Sequence, residues 1–122
     1  MIGYVTMGTN DIQKAAAFYD KLCGEMGMKR FMDLDTFIVW GGPGRGGGFA
    51  LAVPYDGKPM SVGNGVMAAF AVKDKAEVDR VHALALSLGG SCEGPPGPRT
   101  ENFYAAYFRD PEGNKLNAYV MG

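Results

Sequence analysis

Residues 4–27 lie on residues 67–90 without a gap, YVTMGTNDIQKAAAFYDKLCGEMG on MAAFAVKDKAEVDRVHALALSLGG, each reading as strand, polar turn, helix and glycine. A second gapless match, at a shift of 67 rather than 63, lays FIVWGGPGRGGGFALAV (37–53) on YAAYFRDPEGNKLNAYV (104–120) and pairs Trp40 with Tyr107, Gly46 with Gly113 and Val53 with Val120. Literal identity in the first match is limited to Asp11 with Asp74 and Gly27 with Gly90, so the repeat is one of pattern. Two matches in the same order predict two like modules in an α+β chain, each a βαβββ unit. Module 1 spans residues 1–57, a linker 58–65 and module 2 66–122, the segment PYDGKPMSVGNG supplying turn residues between them. At 122 residues the two modules are expected to make one single domain.

Within module 1, Ile12, Ala15, Ala16, Tyr19, Leu22, Cys23 and Met26 follow helical spacing. Asn10 or Asp11 stands where a cap belongs and Gly27 where the helix should stop. Val78, Val81, Ala85 and Leu88 repeat the pattern after Asp74 and end at Gly89 and Gly90. Alternation along the strands puts Val5, Met7, Phe49, Leu51 and Val53, and in module 2 Ala68, Phe70, Val72, Leu116, Ala118 and Val120, against the helices. Tyr4, Thr6, Ala50, Ala52, Met67, Ala69, Asn117 and Tyr119 are left for the opposite faces, which are expected to line a concave surface between the modules.

The charge balance excludes several partners. Twelve basic residues against thirteen acidic ones are scattered along the chain, giving no footprint for nucleic acid or an anionic membrane. The opening MIGYVTMGTND has neither the basic stretch nor the apolar run of a secretion signal, so the expected compartment is the cytoplasm. Cys23 and Cys92 have no metal-like spacing and are read as two buried free thiols without a catalytic role.

Several chemistries are tempting and fail on inspection. GGPGRGGG lacks the Gly-Lys-Ser/Thr and the following helix of a phosphate loop, and Phe49 opens a strand, so a hairpin loop is expected. In DPEGN, Asp110 and Glu112 are read as solvated carboxylates of a turn made by Pro111 and Gly113. His82 is the one histidine; mid-helix, it is read as a surface or core-edge residue, and a Cys-His nucleophile pair would need a coincidence of folding. Tyr4, Tyr104 and Tyr107 are the candidates for tyrosine acid/base chemistry.

With duplicated βαβββ halves, the opening GYVTMGTNDIQKAAAFYDKLCGEMGM and the late FRDPEGNKLNAY, the chain resembles the vicinal-oxygen-chelate superfamily: glyoxalase, bleomycin resistance proteins and dioxygenases. The resemblance implies a cupped, half-barrel-like mixed sheet with helices outside, a small-molecule cavity and a homodimer. In the family's metalloenzymes, His, Glu or Gln side chains hold the metal at positions that correspond here to Tyr4, Ala50, Met67 and Asn117, a poor donor set. No metal and no other cofactor is therefore expected, and classical metal-dependent glyoxalase or dioxygenase activity is not expected either. The leading expectation is a protein that binds a small, planar or amphipathic molecule in an aromatic cavity. That cavity is expected to comprise Tyr4, Phe37, Trp40, Ala50, Met67, Arg99, Tyr104, Tyr107 and Asn117, with Arg99 either closing over an anionic group or standing as a solvated loop residue. Two other readings stand beside it: a lactoylglutathione-lyase-like or dioxygenase-type enzyme with unidentified ligands or tyrosine chemistry, and a structural or regulatory interaction module whose pocket Met67 and Trp40 fill.

Overall fold

A computed structural model of the chain describes residues 1–42 and 46–122. Among them the elements run β1 (Tyr4–Gly8), α1 (Ile12–Glu25), β2 (Lys29–Asp33), β3 (Phe37–Gly41), β4 (Gly48–Ala52), β5 (Ala68–Ala71), α2 (Lys75–Ser87), β6 (Ser91–Thr100), β7 (Phe103–Arg109) and β8 (Lys115–Met121). Each half is therefore βαβββ, and each builds a four-stranded mixed sheet, in the orders β1-β4-β3-β2 and β5-β8-β7-β6. The first strand of each half pairs in parallel with the last, and the remaining pairs are antiparallel. The chain divides into two compact units, Met1–Val62 and Gly63–Gly122. The boundary lies inside the segment read as linker, and within the first unit the Met60 backbone N–H donates to Asn10 Oδ1 at 2.7 Å.

In the first unit Asp11 caps α1, accepting from the Lys14 N–H at 3.2 Å, and Gly27, at φ +80°, ends the last turn in a conformation glycine adopts without strain. The stripe Ile12, Ala15, Ala16, Tyr19, Leu22 and Cys23 is buried, joined by Phe18. Across from it the pairs Val5 with Phe49 and Met7 with Leu51 share the helix side of the sheet. Tyr19 lies 4.6 Å from the Phe49 ring and 5.9 Å from Trp40, an aromatic core between helix and sheet.

The second unit repeats the logic with different fillers. Asp74 caps α2 by accepting from the Glu77 N–H at 2.8 Å, and Val78, Val81, His82 and Ala85 are buried against the sheet. Phe108, Leu116 and Ala118 are fully buried, and Ala68 and Phe70 pair with Leu116 and Ala118 across the parallel ladder. Pro95, Pro96 and Pro98 fall within β6, an edge strand with three register shifts, where a missing N–H leaves a central ladder intact. Asp110 is buried rather than solvated: its Oδ1 accepts the N–H groups of Glu112 and Asn114, both at 2.9 Å, and its Oδ2 accepts from Asn114 Nδ2 at 3.0 Å. That carboxylate organises the β7–β8 turn, with Gly113 at φ +97°. The corresponding loop of the first unit joins antiparallel β3 and β4; its Pro43, Gly44 and Arg45 lie outside the described residues.

Candidate functional site

Strand register decides which side chains share a face. In the first unit Trp40 pairs with Phe49, so its ring points to the helix. Its Nε1–H donates to Asp20 Oδ1 on α1 at 2.9 Å, and it is 1 % exposed. Trp40 thus belongs to the core, a correction to its expected place in a cavity. In the second unit the residue in the equivalent place is Phe108, not Tyr107. Residues 41–48 lie between the paired Trp40 and Phe49, whereas 109–115 lie between the paired Phe108 and Leu116, one fewer. The gapless match at a shift of 67 therefore holds for β4 and β8 and slips by one residue in β3 and β7. A one-residue slip exchanges the two faces.

Tyr104 needs the same correction. It pairs with Val120, on the side of Phe108 and α2, and its hydroxyl donates to Asp79 Oδ1 at 2.7 Å. The Asp79 carboxylate, above all through this hydrogen bond, pushes the Tyr104 phenol above its ordinary value and makes it a poorer acid.

The remaining expected residues fall on the open faces. On the first sheet Tyr4 and Phe37 meet edge to face at 5.8 Å, on the face of Ala50, which is buried. Below them a groove of about 550 Å³ is lined by Thr6, Phe37, Ala52, Pro54, Tyr55 and Met60, among others. A second depression of about 480 Å³ lies by Lys29, Arg30 and the glycines at the β3–β4 end. Its guanidinium is already engaged, Arg30 bonding Asp20 at 2.7 Å and Asp33 at 3.0 Å.

On the second sheet Tyr107 and Asn117 are directly paired on the open face, with Tyr119 and Phe103 stacked beside them at 5.4 Å and Met67 just before β5. Arg99 lies on the Tyr107 ring at 5.3 Å, its guanidinium fixed by the carbonyls of Gly97 at 2.8 Å and Pro95 at 2.7 Å. A Cβ on Gly94 would stand 3.1 Å from Arg99 Nη2 and 3.4 Å from Tyr107 Cδ2, so glycine makes room for the stack. Lys115 also approaches the Tyr107 ring, at 5.7 Å. Among the described residues neither Arg99 nor Lys115 is paired with a carboxylate, whereas Arg109 meets Glu93 at 3.3 Å. This is an aromatic surface carrying two cations, and Lys115 was not foreseen in it, although its alternation with Asn117 along β8 was available.

The positions that the family resemblance implies for a metal do not fit one. The Tyr4 phenol is neutral near pH 7, Ala50 offers no donor, the Met67 thioether suits soft metals, and Asn117, whose amide N–H donates to the Ala106 carbonyl at 3.1 Å, has only a neutral amide oxygen to offer. Among the described residues no three His, Cys, Asp or Glu side chains converge. Elsewhere the structure corrects another expectation. Cys92 is exposed, not buried, and its Sγ lies 3.3 Å from Nε2 of His82, so the discounted Cys-His contact exists. The sequence carried a signal for it: His82 follows Val78 by one turn on the buried stripe.

Comparison with known proteins follows the same lines. The profile of the Glyoxalase/Bleomycin resistance protein/Dioxygenase superfamily matches residues 1–118. The crystal structure of a glyoxalase/bleomycin resistance protein from Albidiferax ferrireducens T118 is similar over 98% of both chains, with 35% identity and a TM-score of 0.89. Two further structures share the fold. A glyoxalase/bleomycin resistance protein/dioxygenase family enzyme from Burkholderia phytofirmans PsJN is 20% identical over 98% of both chains, with a TM-score of 0.79. A lactoylglutathione lyase from Agrobacterium tumefaciens is 24% identical over 98% of this chain and 92% of its own, with a TM-score of 0.73. No curated protein matches.

Proposed function

We propose that this chain, which belongs to the glyoxalase/bleomycin resistance protein/dioxygenase superfamily, binds a small planar or amphipathic anion on the open face of its second sheet without a catalytic metal. The observation that carries the reading is the Tyr107 ring with Arg99 at 5.3 Å and Lys115 at 5.7 Å. A flat ligand can lie along the Phe103, Tyr107 and Tyr119 rings while its acidic group meets the guanidinium, which is held in position by two backbone carbonyls before any ligand arrives. Asn117, between them and bonded to the Ala106 carbonyl, adds an amide of fixed orientation. The donor-poor set Tyr4, Ala50, Met67 and Asn117 supports binding rather than Lewis-acid chemistry, which needs three or four convergent ligands.

The protein is read as a cytoplasmic homodimer. Val62, Val66 and Met67, each 41–54 % exposed, offer an apolar contact beside the unit boundary. Light scattering that returns the mass of one chain at every concentration refutes the dimer. The binding proposal is tested by titrating 1-naphthoate, a planar monoanion, into the protein by calorimetry, alongside elemental analysis of untagged protein. Binding that weakens at least tenfold in Arg99→Gln and in Tyr107→Leu, but not in Tyr104→Phe, supports it. Near-stoichiometric metal, or naphthoate affinity indifferent to Arg99 and Tyr107, overturns it.

A further inference from the structure

The second unit carries a nucleophile on the side of its sheet away from the proposed ligand. Cys92 pairs with Phe108, whose ring faces α2, and Gly94, not Cys92, pairs with Tyr107. The Cys92 thiol is thus exposed on the helix side, with His82 Nε2 at 3.3 Å. His82 is 7 % exposed, its ring fixed edge-on to Phe108 at 6.1 Å. Three elements face the imidazole: α2 itself contributes Asp79 one turn away, β6 contributes Cys92, and β7 contributes Phe108. Asp79 is in turn held by the Tyr104 hydroxyl at 2.7 Å, and Lys75 lies 5.6 Å from the Tyr104 ring.

We infer that Cys92 and His82 form a reactive dyad, at which the Cys92 thiol undergoes exchange with low-molecular-weight disulfides. The chemistry needs no group beyond the disulfide itself. His82 Nε2 accepts the thiol proton, and Cys92 Sγ attacks one sulfur of R–S–S–R. The Sγ–S bond forms as the old S–S bond breaks. The departing thiolate leaves with the bonding electrons and takes up the proton, so that Cys92 ends oxidised in a mixed disulfide and one equivalent of R–SH is reduced. Burial, the larger influence, lowers the imidazole below its ordinary value, against the opposing pull of Asp79. The ring is then neutral near pH 7, as a proton acceptor must be. Cys23, buried in α1, is outside this chemistry and serves as the internal control.

The test is the reaction of the full chain with 2,2′-dithiodipyridine between pH 5.5 and 9.5, following the released thione and locating the adduct by peptide mass. One thiol per native chain is expected to react, at Cys92. Its rate at pH 7 should exceed the per-thiol rate of the same chain unfolded in urea by about tenfold or more, since an ordinary thiol is only a few per cent thiolate there. His82→Gln should remove that advantage at pH 7 and lose its effect above pH ~9, where ordinary thiols ionise unaided. A packing role for His82 would leave the pH dependence unchanged. Should the variant unfold, Cys23 will react as well, and the comparison of native with unfolded wild-type chain then decides alone. A native Cys92 no faster than the unfolded thiols, or a folded His82→Gln chain with wild-type rate and profile, overturns the dyad.

Discussion

The assignment of Phe108 to the core and Tyr107 to the open face can be tested by truncating each to alanine. Phe108 is fully buried, paired with Leu116 of β8, with its ring edge-on to His82 of α2 at 6.1 Å. Losing a ring in such a place removes its transfer free energy and leaves a cavity, and Phe→Ala changes in cores cost about 3–5 kcal/mol. Tyr107 is half-buried, and the contacts it gives up are the stacks with Arg99 and Lys115. At about 0.5–1 kcal/mol for each exposed cation–ring contact, and with some packing lost, Tyr107→Ala should cost about 1–2 kcal/mol. For a chain of this size the difference is large, because total stability is commonly about 5–15 kcal/mol. In urea unfolding Phe108→Ala should lower the midpoint well beyond Tyr107→Ala with m unchanged, and its melting temperature should fall by roughly 12–20 °C. Equal costs, or a larger one for Tyr107, would refute the register argument, since a gapless shift of 67 makes Tyr107 the partner of buried Trp40.

Other substitutions read different parts of the structure. Gly90→Ala should destabilise by several kcal/mol, because its Cβ would stand 2.5 Å from the Arg109 carbonyl oxygen and 2.8 Å from that of Ala85; Gly24→Ala, exposed in α1 with open space around it, should stabilise by about 0.5–1 kcal/mol in the same urea titration. Arg30 foremost, then the Trp40 indole, hold the Asp20 carboxylate below its ordinary value, while partial burial opposes them. A depressed carboxylate stabilises fully above its unfolded value of about 3.9 and loses that contribution as pH falls through the folded value. Arg30→Gln should thus cost at most about 1 kcal/mol at pH 7, the pair being part-exposed, and should flatten the fall of melting temperature below pH ~4. An undiminished acid slope in that variant would assign the slope to other carboxylates.

The parts of this fold that local chemistry dictates were legible in the sequence. Asp11 and Asp74 cap, Gly27 and Gly89 stop, and the apolar spacing on both helices faces the sheets, because caps and periodicity act within a few residues. Strand alternation likewise placed Met7, Phe49, Leu51, Phe70, Leu116 and Ala118 correctly. Trp40 and Tyr104 were misplaced for a different reason. Which face a strand residue takes depends on register, register depends on loop length, and a hairpin shorter by one residue leaves no local mark. Asp110 was read as solvated because a turn carboxylate and a turn-organising carboxylate have the same sequence surroundings; only the three N–H groups converging on it distinguish them. Periodicity puts His82 on the buried stripe of α2, but its contact with Cys92, ten residues on, comes from the tertiary packing of α2 on β6, which spacing does not report.

The two βαβββ halves differ in chemistry on their open faces while their helix sides stay alike. On the helix side the central strand positions fill space against a packed stripe, so Phe49 answers to Leu116, Leu51 to Ala118 and Trp40 to Phe108, all buried and apolar. On the open side that demand is relaxed. There the first sheet has Tyr4, Phe37, Val39 and Ala50, whereas the second has Tyr107, Lys115, Asn117 and Tyr119 with Arg99 laid over them. Neither sheet offers a strong donor at these positions, Ala50 having no polar side-chain atom and Asn117 only a neutral amide oxygen. Restoring a donor at one position is therefore insufficient: Ala50→Glu alone should place one unpartnered carboxylate on an apolar face and destabilise the fold without creating metal affinity. Calorimetric titration of that variant with Zn²⁺ should show no stoichiometric binding. Tight binding there would mean that further ligands already stand beside Ala50 and that the binding-only reading fails.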